Sequence, residues 1–339
     1  MTTRIAINGF GRIGRCVLRA LYENGYRQDM EVVVINELAD IDSLSYMLRY
    51  DSTHGRFSGT VSIADEQHLM VNGDRIRVCH IGDPAELDWA ALHVDLVLEC
   101  SGQIRSREDA ELHLSRGAKK VLISNPADSA VDNTVIYGHN HDSLSAEQRI
   151  VSNGSCSTNA LIPVLTLIDQ AYGIEAGVTT TIHSAMNDQP VIDAYHSDMR
   201  RTRSAVQSII PVDTGLPAGI ERLMPQLAGK IESLHVRVPT INVSALDISL
   251  QLTDATDANA VNALLAGASK ERFDGILGLT REVHASIDFN HDPRSAIVDA
   301  TQTRVSGGRL LKLLVWFDNE WGFANRMLDT ASEMITIKA

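Results

Sequence analysis

Arg4-Ile5-Ala6-Ile7-Asn8-Gly9-Phe10-Gly11-Arg12-Ile13-Gly14 sets a short apolar run directly against three glycines. The run reads as a buried strand, and apolar residues then recur at helical spacing through Ala20-Leu21-Tyr22, so the glycines fall at a strand-to-helix turn. There the spacing acquires chemistry. The first glycine permits the tight turn, the second lets a pyrophosphate approach the backbone, and the third lets helix and strand close on one another. A plain glycine-rich turn is the alternative, and the placement between strand and helix favours the dinucleotide reading. Glu31-Val32-Val33-Val34-Ile35-Asn36 reads as the second strand. Glu37 follows 23 residues after Gly14, where a carboxylate accepts hydrogen bonds from an adenosine ribose. It would repel a ribose phosphate, which favours NAD over NADP; a solvated acid at a strand end is the competing reading.

Outward from this turn, the first 150 residues alternate strands and helices as a mostly parallel sheet requires. Ser43–Leu48 and Arg107–Arg116 read as helices, and Val94–Cys100, Lys120–Ser124, Thr134–Tyr137 and Ile150–Ser152 as strands. Ser62–Ala64 and His68–Val71 resemble a hairpin inserted ahead of Arg75–Val78. The second half has strand signals at Val178–His183, Ser233–Val238, Ser244–Leu250 and Leu311–Val315, with a helix near 257–268. Residues 184–208 make a long polar connection, which calls for a functional reason such as substrate contacts or packing between subunits. The expectation is therefore an α/β chain: a Rossmann-type NAD-binding domain over 1–155, completed by a C-terminal helix at 320–339, and a second α+β domain over 156–319 built on a mostly antiparallel sheet.

The chain has 339 residues, 44% of them apolar, enough to fill two cores. Its formal net charge of −13 argues against a general nucleic-acid or anionic-membrane partner, while a local basic patch can still hold a phosphorylated metabolite. With no long apolar span or export signal, the expected location is the cytoplasm. The four cysteines form no disulfide framework, no metal-ligand spacing is found, and Cys16, Cys79 and Cys100 take the default role of small buried hydrophobes.

Cys156 departs from that default. It sits in Ser152-Asn153-Gly154-Ser155-Cys156-Ser157-Thr158-Asn159, at the start of a helical run, where unpaired amides and the helix dipole favour a thiolate. A thiolate attacks an aldehyde to give a thiohemiacetal, which yields a thioester once oxidised, open to water or phosphate. Among the 12 histidines, His183 is the strongest partner because it ends a strand and opens the polar stretch Ser184–Gln189. Arg200-Arg201-Thr202-Arg203 reads either as an anion site or as a hydrated face. Arg237 interrupts the apolar pattern His235-Val236-Arg237-Val238-Pro239 and needs a partner, which a substrate phosphate would supply.

Asn8–Arg15, Tyr50–Phe57, Ser152–Asn159, Arg237–Thr240 and Trp316–Gly322 together resemble the phosphorylating glyceraldehyde-3-phosphate dehydrogenase family over essentially the full length. The resemblance implies a homotetramer with Cys156 as nucleophile and His183 as base. It places Gly9, Gly11, Arg12, Ile13, Gly14, Glu37 and Ser101 around NAD and has Asn319 orient the nicotinamide amide. Ser155, Ser157, Arg203, Thr214, Gly215 and Arg237 would contact the substrate, the last four in the anion-binding region.

Within the family, Ile35–Asp40, His183–Gln189, Pro211–Gly215 and Phe289–Pro293 are most similar to the branch acting on D-erythrose 4-phosphate, which serves pyridoxal phosphate biosynthesis. Triose enzymes normally carry threonines where Met186 and Asp188 stand; methionine lacks the donor and aspartate would repel the anion. Gly154 and Ser157 stand where alanine and threonine are usual, and Phe323 where tyrosine is common. The branch implies water rather than phosphate as acyl acceptor. Two other readings stay open: the phosphorylating triose enzyme and a catalytically idle, nucleotide-responsive scaffold.

Overall fold

The computed structural model describes residues 2–337. They form two compact units: one runs through Ser155 and resumes at Phe323, and the other is Cys156–Gly322.

The first unit contains β1 (Thr3–Asn8), β2 (Met30–Asn36), the short pair β3 (Tyr50–Asp51) and β4 (Gly55–Arg56), β5 (Val61–Asp65), β6 (His68–Val71), β7 (Asp74–Cys79), β8 (Leu96–Glu99), β9 (Lys120–Ile123), β10 (Asn133–Thr134) and β11 (Ile150–Ser152), with α1 (Arg12–Glu23), α2 (Ile41–Arg49) and α3 (Arg107–Ser115). Among the described residues, nine of these strands make one sheet in the order β10-β11-β9-β8-β1-β2-β7-β6-β5. β1 pairs in parallel with both β2 and β8. The chain thus leaves β1 first to one side and later to the other, which opens a crevice at the carboxyl ends of these strands. Ile5, Ala6 and Ile7 are fully buried there, and α1 packs Val17, Leu18, Ala20 and Leu21 inward.

Two expectations change in this unit. The hairpin is no separate insertion, because β6 pairs with β7 and extends the sheet to its edge at β5. Of the strand expected at Thr134–Tyr137, only Thr134 lies in β10. The Asn140 side chain accepts from Ile136 N at 2.8 Å and donates to Thr134 O at 2.9 Å, so a local turn takes the backbone groups a longer ladder would use.

The second unit holds α4 (Cys156–Tyr172), β12 (Ile174–Ser184), β13 (Ile210–Val212), α5 (Leu216–Leu223), β14 (Ile231–Val238), β15 (Ser244–Leu252), α6 (Ala258–Ala268), β16 (Leu277–Thr280), β17 (Ala296–Asp299), β18 (Arg304–Ser306) and β19 (Leu310–Phe317). The sheet order is β13-β14-β12-β15-β19-β17-β16, with β18 on β19. Most pairings are antiparallel; β12 with β14 and β16 with β17 are parallel. Residues Ser157 through Ile168 of α4 are all buried, as expected of a helix apolar all round. Burial of Leu161, Ile162, Leu165 and Ile168 contributes about 1.5–3 kcal/mol each, and it fixes the helix start that carries Cys156.

Residues 185–209 contain only a helical turn at Met199–Thr202. The closing helix α7 (Trp321–Thr336) falls within the expected 320–339, of which residues 338 and 339 lie outside the described ones. It is tied to the first unit by Asp329 accepting from Tyr26 Oη at 2.7 Å, Lys120 Nζ donating to Met334 O at 2.6 Å and Thr330 Oγ1 donating to Asn153 Oδ1 at 2.8 Å. Among the described residues, no helix is long and apolar enough to cross a membrane.

Candidate active site

The crevice of the first unit encloses about 380 Å³, lined by Gly9, Gly11, Asn36, Glu37, Ser101 and Ile104 among others. Gly9 holds φ +89°, a left-handed conformation that glycine adopts without strain. A Cβ on Gly9 would come within 2.5 Å of Ser101, and one on Gly14 would run into the Gly9 carbonyl. Gly11 differs: a Cβ there meets nothing within 4 Å. It borders the crevice and precedes α1, whose start carries no side-chain cap. Glu37 is pinned at the rim, accepting from Phe10 N at 2.8 Å and Leu38 N at 2.7 Å. Backbone without side chains and a helix start supply the donors, and a fixed carboxylate the acceptor, that a dinucleotide needs, so these residues fit NAD. Ile13 is partly exposed in the first turn of α1. Arg12 pairs with Asp51 at 2.5 Å, linking the glycine turn to the Tyr50–Phe57 motif.

Beneath the crevice lies a polar network that the sequence did not disclose. Glu99 is fully buried. Its Oε2 accepts from Asn8 Nδ2 at 2.6 Å and from His113 Nε2 at 2.9 Å, and its Oε1 accepts from Ser101 N at 2.8 Å and from Ser101 Oγ. Trp89 Nε1 lies 3.0 Å from His113 Nδ1, and an indole only donates, so the imidazole proton belongs on Nε2, toward Glu99. Asn36 donates to Asn8 Oδ1 and bridges to Ile81. The only outward signal was two asparagines, Asn8 and Asn36, ending adjacent apolar strands; nothing in sequence ties His113 to them.

In the second unit, Cys156 opens α4 and its Sγ lies 3.7 Å from Nε2 of His183, near the end of β12. His183 Nδ1 is 2.8 Å from Ser184 O, an acceptor, so the ring proton sits on Nδ1 and the Nε2 lone pair faces the sulfur. Burial lowers the imidazole's proton affinity; the Ser184 hydrogen bond opposes this, and the Arg237 charge adds to it. The thiol does not follow the helix-start expectation. Cys156 keeps some solvent access, yet protein packs densely around the sulfur and pushes its pKa up to about 11, against hydrogen bonds from Ser157 and from the Ser157 and Cys156 amides. Desolvation outweighs the hydrogen bonds at the helix start, and the Asp318 charge adds to it, so thiol and neutral imidazole are the favoured resting forms. Gly154, two residues earlier, has φ +65° and donates to Ser152 Oγ, which accounts for glycine at that position.

The substrate candidates scatter. β12 and β14 run in parallel with His183 opposite Arg237, which sets base and guanidinium side by side. Arg237 has a partner within the chain for Nη1, which donates to Asp188 Oδ1 at 2.5 Å and to Gln189 Oε1 at 3.3 Å, while its Nε is buried with no hydrogen-bond partner. Asp188, expected to repel an anion, is itself the anion. Arg203 pairs with Asp193 instead, on an exposed part of the connection. Thr214 Oγ1 accepts from Leu216 N at the start of α5, and Gly215 beside it leaves open space. Ser157 is buried next to Cys156, while Ser155 is partly exposed. Asn319 Oδ1 accepts from Ser184 Oγ at 3.1 Å and Ser244 Oγ at 2.9 Å, fixing its amide. His235, on the face of β14 that carries Arg237, stacks on His183 with ring centroids 5.0 Å apart. The alternation His235-Val236-Arg237 was the signal for it.

A dinucleotide crevice in one unit and a thiol–imidazole pair in the other define an NAD-dependent dehydrogenase. Residues 3–107 match the family described as glyceraldehyde 3-phosphate dehydrogenase, NAD binding domain, and residues 155–319 match its C-terminal domain. The chain belongs to the glyceraldehyde-3-phosphate dehydrogenase family.

Proposed function

We propose that this chain oxidises D-erythrose 4-phosphate to 4-phospho-D-erythronate with NAD, as a cytoplasmic homotetramer supplying pyridoxal 5'-phosphate synthesis. Bound NAD supplies the acceptor for the substrate's two electrons. Cys156 Sγ attacks the aldehyde carbon as its proton passes to His183 Nε2 and on to the carbonyl oxygen, giving a thiohemiacetal. His183, neutral again, takes the hydroxyl proton as the carbon is oxidised, leaving a thioester on Cys156. Water cleaves that thioester, releasing the acid and restoring the thiol.

The observation that supports hydrolysis over phosphorolysis, and so this branch of the family over the triose one, is the Asp188 carboxylate on Arg237 at 2.5 Å. A carboxylate there competes with substrate or inorganic phosphate for the guanidinium, which disfavours triose-type anchoring and phosphorolysis. The tetramer reading is supported by exposed apolar side chains along the long connection, including Ile192, Tyr195, Met199 and Ile209, which a subunit contact would cover. Initial rates with D-erythrose 4-phosphate and glyceraldehyde 3-phosphate, each with and without inorganic phosphate and with product identification, test the assignment. Faster, phosphate-dependent turnover of the triose would overturn it in favour of the phosphorylating enzyme. Cys156 labelling without NAD reduction by any phosphorylated aldehyde would favour the idle scaffold.

A further inference from the structure

His235 is a second imidazole at the centre of the site with no part in the chemistry above. The ladder puts His235 opposite Thr181 and Arg237 opposite His183, so all four side chains belong to one face of the paired strands. The His235 and His183 rings stack at 5.0 Å with an interplanar angle of 25°. His235 Nε2 is buried with no hydrogen-bond partner, so no proton relay runs through that nitrogen, and what the ring presents to His183 is its face.

We propose that His235 is a positioning residue: its ring covers one face of the His183 imidazole, screens that face from water and holds Nε2 toward the Cys156 sulfur. This inference rests on the reading of His183 as the base. The groups acting on His183 are Cys156 from α4, His235 and Arg237 from β14, Asp188 from the connection after β12, and Glu320 with the apolar edge of Phe317 from the end of β19. Across the other neighbouring strand, Ile182 faces Ala245, which brings no charge. Arg237 disfavours imidazolium while the Ser184 hydrogen bond, Glu320 and Asp188 favour it, so burial, to which the stacked His235 ring contributes, tips the balance toward the neutral base. His235 does not become a rival cation: burial, then the charges of His183 and Arg237, bring its own pKa down to about 3.

The test uses the full-length chain with His235→Ala and His235→Phe, and two readouts against pH: the rate of Cys156 alkylation by iodoacetamide without cofactor, and the first-turnover NADH burst with D-erythrose 4-phosphate or glyceraldehyde 3-phosphate. Opening the face in His235→Ala lets His183 hold a proton more readily, which favours the thiolate–imidazolium pair and depletes the neutral base. Alkylation at neutral pH should rise about threefold, the effect of a half-unit change in proton affinity, while the burst on the acid side falls. His235→Phe restores a flat, dry face and should return both profiles toward those of the unsubstituted protein. A general loosening of the site would lower both rates together and overturn the proposal, as would an unmoved alkylation profile or a Phe variant that behaves like Ala. If the Ala variant fails to fold by near-UV circular dichroism, His235→Gln, which keeps bulk without a ring face, is read in its place. His183→Gln separates the two readings: a retained burst refutes His183 as base, whereas a lost burst with an unmoved His235→Ala profile refutes this inference alone.

Discussion

Asp188 binds Arg237 through one carboxylate oxygen at 2.5 Å and Arg201 through the other at 2.7 Å. The Arg237 side chain is only 8% exposed, so the pairing offsets part of the cost of burying its charge from within the chain, with Nε left unpartnered. Burial alone would raise the Asp188 pKa, but the Arg237 hydrogen bond and the charges of Arg237 and Arg201 overcome it and hold the carboxyl below its ordinary value. The depressed pKa means the pair persists through neutral pH and is lost only as pH falls through the acid carboxylate range.

Replacing Asp188 by Asn keeps an oxygen acceptor and removes the charge, leaving Arg237 without its anion while Arg201 keeps Asp198 at 3.3 Å. The expected result is a KM for glyceraldehyde 3-phosphate lower by about five- to tenfold and a larger share of acyl phosphate when inorganic phosphate is present. Steady-state kinetics with product separation read both. An unchanged KM and product ratio would show that Asp188 does not compete with phosphate.

The long-range order of this chain was legible because it rests on local signals. Three glycines after β1 and an acid after β2 located the crevice, and the hydroxyl-rich turn before α4 marked Cys156. What escaped was whatever depends on two distant segments meeting. Asp188 could be seen as an acid and Arg237 as a buried cation, but 49 residues separate them and only the β12–β14 pairing shows that one answers the other. The Cys156 proton affinity escaped for the same reason: the helix start is visible in sequence, and the packing that outweighs it is not.

The acid–base pair carries its own pH signature. His183 has its proton affinity lowered chiefly by burial, and a base works only when neutral, so the acid limb of the NADH burst should fall below the ordinary histidine value of 6.5. His183→Gln should lower the burst about 10²–10⁴-fold and abolish that limb. Cys156→Ser should reduce steady-state NADH formation by at least about 10³-fold, since the thioester cannot form. Rapid-mixing absorbance at several pH values measures these effects, and an acid limb above 6.5 would contradict the desolvated imidazole.

Glu99 receives four donors on its two oxygens. Glu99→Gln would turn one acceptor into a donor facing donors, at a cost of about 1–3 kcal/mol. Asn8 and Ser101, which both border the crevice, would lose their common anchor. Lower stability to urea together with several-fold weaker NAD binding is expected. If NAD affinity were unchanged while stability fell, the network would serve the core alone and not the crevice.

Gly11 and Gly14 should separate cofactor binding from folding. At Gly14 a methyl group collides with the Gly9 carbonyl, backbone against backbone, so Gly14→Ala must displace α1 from β1 and lower the unfolding midpoint. At Gly11 the same methyl group meets no protein atom within 4 Å, and φ is −70°, a value alanine adopts freely. Gly11→Ala should therefore unfold at the same urea concentration as the unsubstituted chain. If the space beside Gly11 is where a pyrophosphate reaches the backbone, NAD titration of that variant will show affinity reduced by about tenfold or more, the result of a methyl group where an anion must approach. Unchanged NAD binding by a stable Gly11→Ala variant would move the pyrophosphate away from this turn, and with it the reading of the crevice as built around the first three glycines.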